Sequence, residues 1–384
     1  MPASRRGPPG EGTAQDASWN FIRMRPTVIS LPDDAVILAL TSPGFDAGYP
    51  RLVNKPLIPP PILQSMEWAW NTARFPERPV RVLRLSDVWV AMEGLVFDRD
   101  GNLYRETITQ HSEAEVDLAH EAVLASIERW ADLGWDADRE GPVLLCKKRG
   151  VGNYGHWMME MLPKAHIVHS RLPELDARFL VADVPGRLRE TMAHSLAMLG
   201  IDDLAQTLVA DDTPLRFADL LLVDVMSEHG GFMSPLVLDG VDRVARDVVP
   251  AGAERLFVTR QATGFRRVVD EDDLTAHAEA HGYTLVDPGA LPLPEQVALF
   301  KGATRIVGVM GAAMTNIAFA PPGACVVNLT PAGMPDTFFW FIATLRGLDY
   351  TEIRCAPSGP VRGTMPWDTD LILSPDDRDS IFAD

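Results

Sequence analysis

The sequence predicts an α/β protein made of two successive Rossmann-like units that face a central cleft. Three observations lead there. From residue 142 onward, short β-rich apolar runs alternate with segments of helical period. The alternation breaks once, over residues 227–240, and then resumes to the end of the chain. A length of 384 residues also exceeds what one ordinary core accommodates.

The elements follow in order. Residues 1–19, rich in Gly, Pro, Ser and Ala, read as a disordered leader. KPLIPPPI (55–62) reads as a stiff, extended connector of polyproline character. Residues 80–104 read as strands turned at Asp100-Gly101. Residues 113–131 place Val116, Ala119, Val123, Ile127 and Trp130 at helical spacing behind Ser112 as a cap. Strand 142–148, helix 156–170, strand 177–183, helix 187–200 and the strands TLVA and ADLLLVD then give a βαβαβ order, expected as a layered parallel sheet. Residues 227–240 read as a crossover. The second series runs helix 236–249, strand 255–260, helix 270–282, strand 283–287, helix 294–303, strand 306–309, a small-residue turn with a short helix, strand 325–329, helix 336–348 and strand 350–355. The expected domains are 20–230 and 231–384, with the final residues free to pack back on the first. The halves share a pattern and no sequence repeat.

Composition narrows the function. Hydrophobic content of 46% with 23% charged residues is that of a globular chain. A formal net charge of −18 argues against nucleic acid as a partner, since that attraction needs clustered Lys and Arg. It does not exclude nucleotides, which need only a few local cations. Cys146, Cys325 and Cys355 form no metal or disulfide spacing, and a cytoplasmic location fits them. No run reaches the ~18 apolar residues of a membrane span, so no integral membrane segment is expected. A homo-oligomer is compatible with the sequence, which leaves the oligomeric state open.

The most informative stretch is 305–331, RIVGVMGAAMTNIAFAPPGACVVNLTP. A strand empties into Gly311, Ala312 and Ala313, with Thr315 and Asn316 following. At such a handover, free N–H groups and the positive end of a helix can hold an anion such as a diphosphate. The same turn also suits any tightly packed α/β crossover. A second constellation, Asn153 to Glu160, puts His156 in a first helical turn with Glu160 on the same face four residues on. A carboxylate there orients an imidazole as a general base; the alternative is an ordinary structural pair. Third, Arg260 ends a strand, Arg266-Arg267 follow, then Asp270-Glu271. Guanidinium groups at strand ends suit a diphosphate, and a solvated loop is the competing reading. The triplets Asp98/Asp100, Asp136/Asp138 and Asp368/Asp370 read as solvated turns in a chain with 53 acidic residues, so no metal or cofactor is expected. The signatures GxxxxGK[ST], GxSxG and HExxH are absent.

Taken in order, NYGHWMMEMLP (153–163), FVTRQATGFRRVVDEDDL (257–274), LPEQVALFKGATRIVGVMGAAMTNIAFAPPGACVVNL (293–329) and FFWFIATLRGLDY resemble glycosyltransferase family 61. That family includes bacterial capsular-polysaccharide enzymes and eukaryotic xylosyl- and N-acetylglucosaminyltransferases. The resemblance spans residues 150–352. It implies a GT-B fold and inverting, metal-independent transfer of a sugar from a nucleotide donor, typically a UDP-sugar, to a glycan or small-molecule hydroxyl. By position, Asn153, Arg260, Arg266, Glu295, Gly311, Ala312, Ala313, Thr315 and Asn316 would bind the nucleotide sugar, with Glu295 at the ribose. His156 and Glu160 would act on the acceptor side. The family pattern His-Gly-Ala-Gly-Leu-Thr-Asn is here Met310-Gly311-Ala312-Ala313-Met314-Thr315-Asn316. Met310 in place of histidine opens the alternative of a degenerate member that binds a nucleotide sugar or glycan without turnover.

Overall fold

The computed structural model describes residues 25–133, 141–150, 152–201, 207–210, 213–260 and 264–382. They form a mixed α/β structure around two large sheets. The leader 1–19 and the Asp136/Asp138 triplet lie outside the described residues.

In the first sheet, Leu215–Asp224, Val143–Cys146, Arg178–Ala182 and Thr207–Ala210 lie side by side and parallel. These four strands are parallel as expected, and beyond that flank the sheet becomes antiparallel. The 14-residue strand Arg78–Ala91 pairs antiparallel with Leu215–Asp224. Along its other edge it pairs antiparallel with Val36–Ser42 and Leu95–Phe97. The physical reason is legible in the strand, which alternates buried and accessible residues over much of its length, a pattern typical of antiparallel sheets. Cross-strand pairs Arg84–Asp219 and Arg81–Asp224, both 2.6 Å, reinforce the register. The turn at Asp100-Gly101 stands, with Gly101 at φ 84° between Leu95–Phe97 and Leu103–Tyr104.

The second sheet follows the predicted alternation closely. Thr284–Val286, Arg255–Val258, Arg305–Val309, Cys325–Pro331 and Asp349–Ser358 are parallel neighbours in that order. Asp370–Ile372 pairs antiparallel with Asp349–Ser358. Arg51–Val53, far earlier in the chain, adds a parallel strand to it. The strands Arg305–Val309 and Cys325–Pro331 are almost wholly buried, as in parallel sheets covered on both faces.

Two connectors differ from expectation. Residues 55–62 do not stay extended: Lys55–Leu57 forms a 3-10 turn, and a helix runs over Pro60–Trp70. Prolines at positions 60 and 61 are tolerated because the first helical turn has no intrahelical use for their missing N–H groups. Residues 227–240 are not a plain crossover. Ser227–Glu228 and Phe232–Met233 form a small hairpin, and the helix Val237–Ala245 begins within the stretch. The helix Glu113–Leu133 carries the expected cap. The Ser112 N–H donates to Glu115 Oε2 (2.7 Å) and the Glu115 N–H to Ser112 Oγ (3.3 Å), a reciprocal capping box.

One apolar core joins both sheets, with Trp157, Met159 and Val241 packed in the same cluster as Val258, Met314 and Phe341. Among the described residues, no helix is long and apolar enough to cross a membrane. The Pro60–Trp70 helix is pinned to the second sheet by Arg354, which is fully buried. Its Nη1 donates to the Met334 carbonyl (2.8 Å), its Nη2 reaches Met66 Sδ (3.3 Å), and its guanidinium pairs with buried Glu352. Replacing Arg354 with Met should cost about 3–5 kcal/mol of stability, because the Glu352 carboxylate would stay buried and uncompensated. Urea unfolding measures this, and Glu352→Leu in the same chain should recover part of the loss. An unchanged midpoint in the single variant would contradict the pin.

Candidate active site

The helix that carries His156 and Glu160 begins beyond the carboxyl end of strand Val143–Cys146. Asn153 is extended (φ −111°, ψ 133°), and its Oδ1 accepts the Gly155 N–H at 2.8 Å, which starts a turn over Tyr154–His156. A π-helical turn, Trp157–Met161, follows before regular helix resumes over Leu162–Arg171. Such turns widen the helix and recur at functional sites. Here the geometry brings His156 Nδ1 to 2.5 Å from Glu160 Oε2. Lys148, two residues past the strand Val143–Cys146, donates Nζ to the same oxygen at 2.6 Å. Glu160 is buried, with 1% exposed. Burial alone would raise its pKa, but the His156 hydrogen bond and the Lys148 ammonium outweigh it and hold the carboxyl down at about 2. The carboxylate therefore stays ionised and orients the His156 ring through the hydrogen bond at Nδ1.

The glycine turn stands opposite. Gly311 has an extended backbone (φ 169°, ψ 175°), so no left-handed conformation requires glycine here. Proximity requires it: a Cβ would lie 1.5 Å from Arg260 Nη1. Arg260 Nη1 donates to the Met310 carbonyl (3.2 Å), so the guanidinium backs the turn from behind. Burial and then neighbouring Arg266 push the Arg260 pKa down to about 10. Arg266 is held by Asp368, with Nε 3.3 Å from Oδ1. Asp370 accepts the Arg267 backbone N–H at 3.2 Å and lies 3.5 Å from its guanidinium. The reading of Asp368/Asp370 as a solvated turn is thus corrected, since Asp368 is 3% exposed and anchors the arginine loop. Asp98 is a turn as expected, accepting the Asp100 and Asn102 N–H groups.

Dyad and turn are joined by a buried relay. Tyr154 Oη donates to Asn316 Oδ1 (2.6 Å), and Asn316 Nδ2 donates to Gln296 Oε1 (3.0 Å) and to the Ala313 carbonyl (3.0 Å). Beside it, a Cβ on Gly155 would come within 2.8 Å of Thr315 Oγ1, so the helix start sits against the 3-10 helix Ala312–Phe319. Between them lies a cavity of about 280 Å³. Asn153, His156, Arg266, Gly311, Ala312 and Thr315 all line it. Glu160 and Arg260 stand behind His156 and Gly311. Ala313 and Asn316 serve the relay and are absent from the lining. Glu295 is exposed and also absent; its neighbour Gln296 is the buried one.

Sequence reasoning passed over Lys148, His229 and Asp336. Lys148 follows a strand end, the position where open sheets gather ligand groups, and that signal was available. Asp336 lines the cavity and caps the helix Phe338–Arg346 by accepting the Phe338 N–H at 2.7 Å. An acidic residue just before an apolar helical run was its sequence signal. Burial raises its pKa to about 6. His156, Glu160 and His229 offer three potential metal ligands within 4.8 Å of one another. The donor set fits a dication poorly. The only carboxylate already carries the Lys148 ammonium and the His156 N–H on one oxygen, and a cation would have to displace both.

An oriented imidazole facing an arginine-backed glycine turn across one cavity has the chemistry of a group-transfer site: a base for a hydroxyl and a cradle for an anionic leaving group. Residues 154–327 match the family model for Glycosyltransferase 61, a stretch that includes His156 on one wall of the cavity and Gly311 on the other. Over 99 residues the chain is also 30% identical to the EGF domain-specific O-linked N-acetylglucosamine transferase of Drosophila melanogaster. That match covers 25% of this chain and 19% of the relative.

Two outcomes test this geometry. Tyr154→Phe should lower stability by about 1–3 kcal/mol, since it leaves a buried Asn316 oxygen unpaired; chemical denaturation reads it, and a neutral result would contradict the relay. Glu160 titrates at about 2 in the folded chain against 4.5 unperturbed, so it stabilises the fold above pH 4.5 and that contribution is lost as pH falls toward 2. Glu160→Gln should flatten the loss of stability across that window. Parallel curves for both proteins would show that the carboxylate is not held as described.

Proposed function

We propose that this chain is an inverting, metal-independent glycosyltransferase of GT-B arrangement. It moves a sugar from a nucleotide donor, in the first instance a UDP-sugar, to a hydroxyl of a glycan or small molecule. The observation that carries this is the single cavity shared by the His156–Glu160 dyad and the Gly311–Ala312 turn. The donor diphosphate sits against the turn, with Arg266 in the cavity and Arg260 behind Gly311, so that developing negative charge meets fixed cations and backbone N–H groups. His156 Nε2 takes the proton of the acceptor hydroxyl as it attacks the anomeric carbon. Glu160, held by Lys148, balances the imidazolium that forms. Donor contacts come chiefly from residues 231–384 and acceptor contacts from 20–230. The named reaction of the fly relative makes an N-acetylhexosamine the first donor sugar to try. The free thiols Cys146, Cys325 and Cys355 favour a cytoplasmic enzyme.

A second reading rests on Met310, which lines the cavity where the resemblance expects histidine. On that reading the protein binds a nucleotide sugar or glycan without turnover. Here the Met310 carbonyl already positions Arg260, a task independent of its side chain, which favours catalysis.

Thermal-shift screening against UDP-, GDP- and CMP-sugars should find one that raises the melting temperature, and Gly311→Ala, which crowds Arg260, should diminish that rise. No shift with any nucleotide removes the basis for the proposal. His156→Ala should lose about 10²- to 10⁴-fold in transfer while nucleotide binding persists. Retained transfer would sink the base assignment, and binding without turnover in the wild type would favour the second reading. Transfer should survive EDTA; loss on chelation with recovery on adding manganese would contradict metal-free chemistry.

A further inference from the structure

A second cavity, of about 570 Å³, opens beside the first and shares Gln110 and His229 with it. Its wall carries the cations Arg81, Arg105, Lys147, Lys148 and Lys164 against the carboxylates Glu106, Asp224 and Glu228. An excess of positive charge in a chain of net charge −18 calls for an explanation. Part of it is internal. Asp224 pairs with Arg81 (2.6 Å), Glu228 with Arg78 (3.2 Å), and Lys148 with Glu160 (2.6 Å). Glu106 Oε2 is engaged by the Leu31 N–H at 3.1 Å.

Lys164 is different. It stands on Leu162–Arg171, the continuation of the helix that bears His156, and its ammonium has no hydrogen bond or ion pair among the described residues. Burial first, and neighbouring Lys148 second, push its pKa down. Lys164 is half-buried and lines the cavity, with Glu160 and Asp224 acting on it only through space, so its ammonium is open to a ligand that supplies the opposite charge. Arg105, exposed at the same cavity, likewise has no side-chain partner among the described residues. Every residue lining this cavity falls between 81 and 229, whereas the arginine and glycine turn come from beyond 259. The basic cavity is therefore built from a different part of the chain than the proposed donor cradle, and the two cavities meet at His229, whose ring lies 5.9 Å from that of His156.

We propose that this second cavity is the acceptor subsite and that it takes a sugar bearing an anionic group, a carboxylate or a phosphate ester, held by Lys164 and Arg105. The inference rests on the transferase reading above and adds the acceptor class to it. The anion anchors one end of the acceptor while a hydroxyl at the other end extends past His229 to His156 Nε2. Two cations at one cavity also give charge specificity that a neutral glycan could not exploit.

The test titrates methyl β-glucuronide, glucose 6-phosphate and methyl β-glucoside into the wild-type protein, with UDP, GDP and CMP titrated alongside. At least one of the two acidic sugars should bind ten-fold or more tightly than the neutral glucoside, and which one does so distinguishes a uronic acid from a phosphorylated acceptor. Lys164→Met should erase the preference with nucleotide affinity unchanged, and Arg105→Gln, at an exposed position that places no demand on folding, should reduce it at least three-fold. Equal binding of acidic and neutral sugars overturns the proposal while leaving the transferase reading intact, provided a nucleotide still binds. Loss of nucleotide affinity in both variants overturns it too, by giving this cavity to the donor. Absence of any nucleotide binding to the wild type is instead a failure of the transferase reading.

Discussion

Asn316 is the residue on which the site depends. It is wholly buried, and its carboxamide is hydrogen-bonded at both ends, to Tyr154 from the helix that carries the dyad and to Gln296 from the helix under the glycine turn. A buried amide tolerates few arrangements, because each unmade hydrogen bond inside a protein costs its desolvation in full. The contact therefore sets the distance between the two walls of the cavity as well as joining them. Gly155 against Thr315 acts in the same sense, since only a residue without a Cβ permits that approach.

With the walls fixed, electrostatics gives the cavity its character. The chain is strongly acidic as a whole, yet the groups that meet here are Lys148 and Arg260, each just beyond a strand, and Arg266 in the loop that follows Arg260, each restrained by a neighbour. The His156 hydrogen bond and the Lys148 ammonium together keep Glu160 ionised in a position where burial alone would favour its protonated form, and Glu160 in turn orients the histidine ring. Asp368 does the corresponding work for Arg266. Net charge thus says what the surface repels, while a few buried carboxylates decide what the interior attracts.

Much of this was legible in the sequence, for identifiable reasons. The second sheet was readable because its strands are buried on both faces and separated by helices of clear period. The dyad was readable from i,i+4 spacing, and the turn from small residues after a strand. The pairing of strand Arg78–Ala91 with Leu215–Asp224 escaped because direction depends on a partner more than a hundred residues away. The Pro60–Trp70 helix escaped because prolines mark both extended chain and a helix start. Among site residues, spacing alone did not separate Glu295 from Gln296, since one position of helix rotation decides which faces the turn. Asn316 was singled out as a ligand group, and the structure engages its amide within the fold.

The most direct measurement is a crystal structure of the protein soaked with UDP. Diphosphate density is expected against the Gly311–Ala312 turn within hydrogen-bond distance of Arg266, with His156 Nε2 across the same cavity on the acceptor side, opposite the leaving diphosphate, and the Tyr154–Asn316 hydrogen bond intact. A nucleotide bound elsewhere, or bound at the turn with His156 rotated away from Glu160, would contradict it.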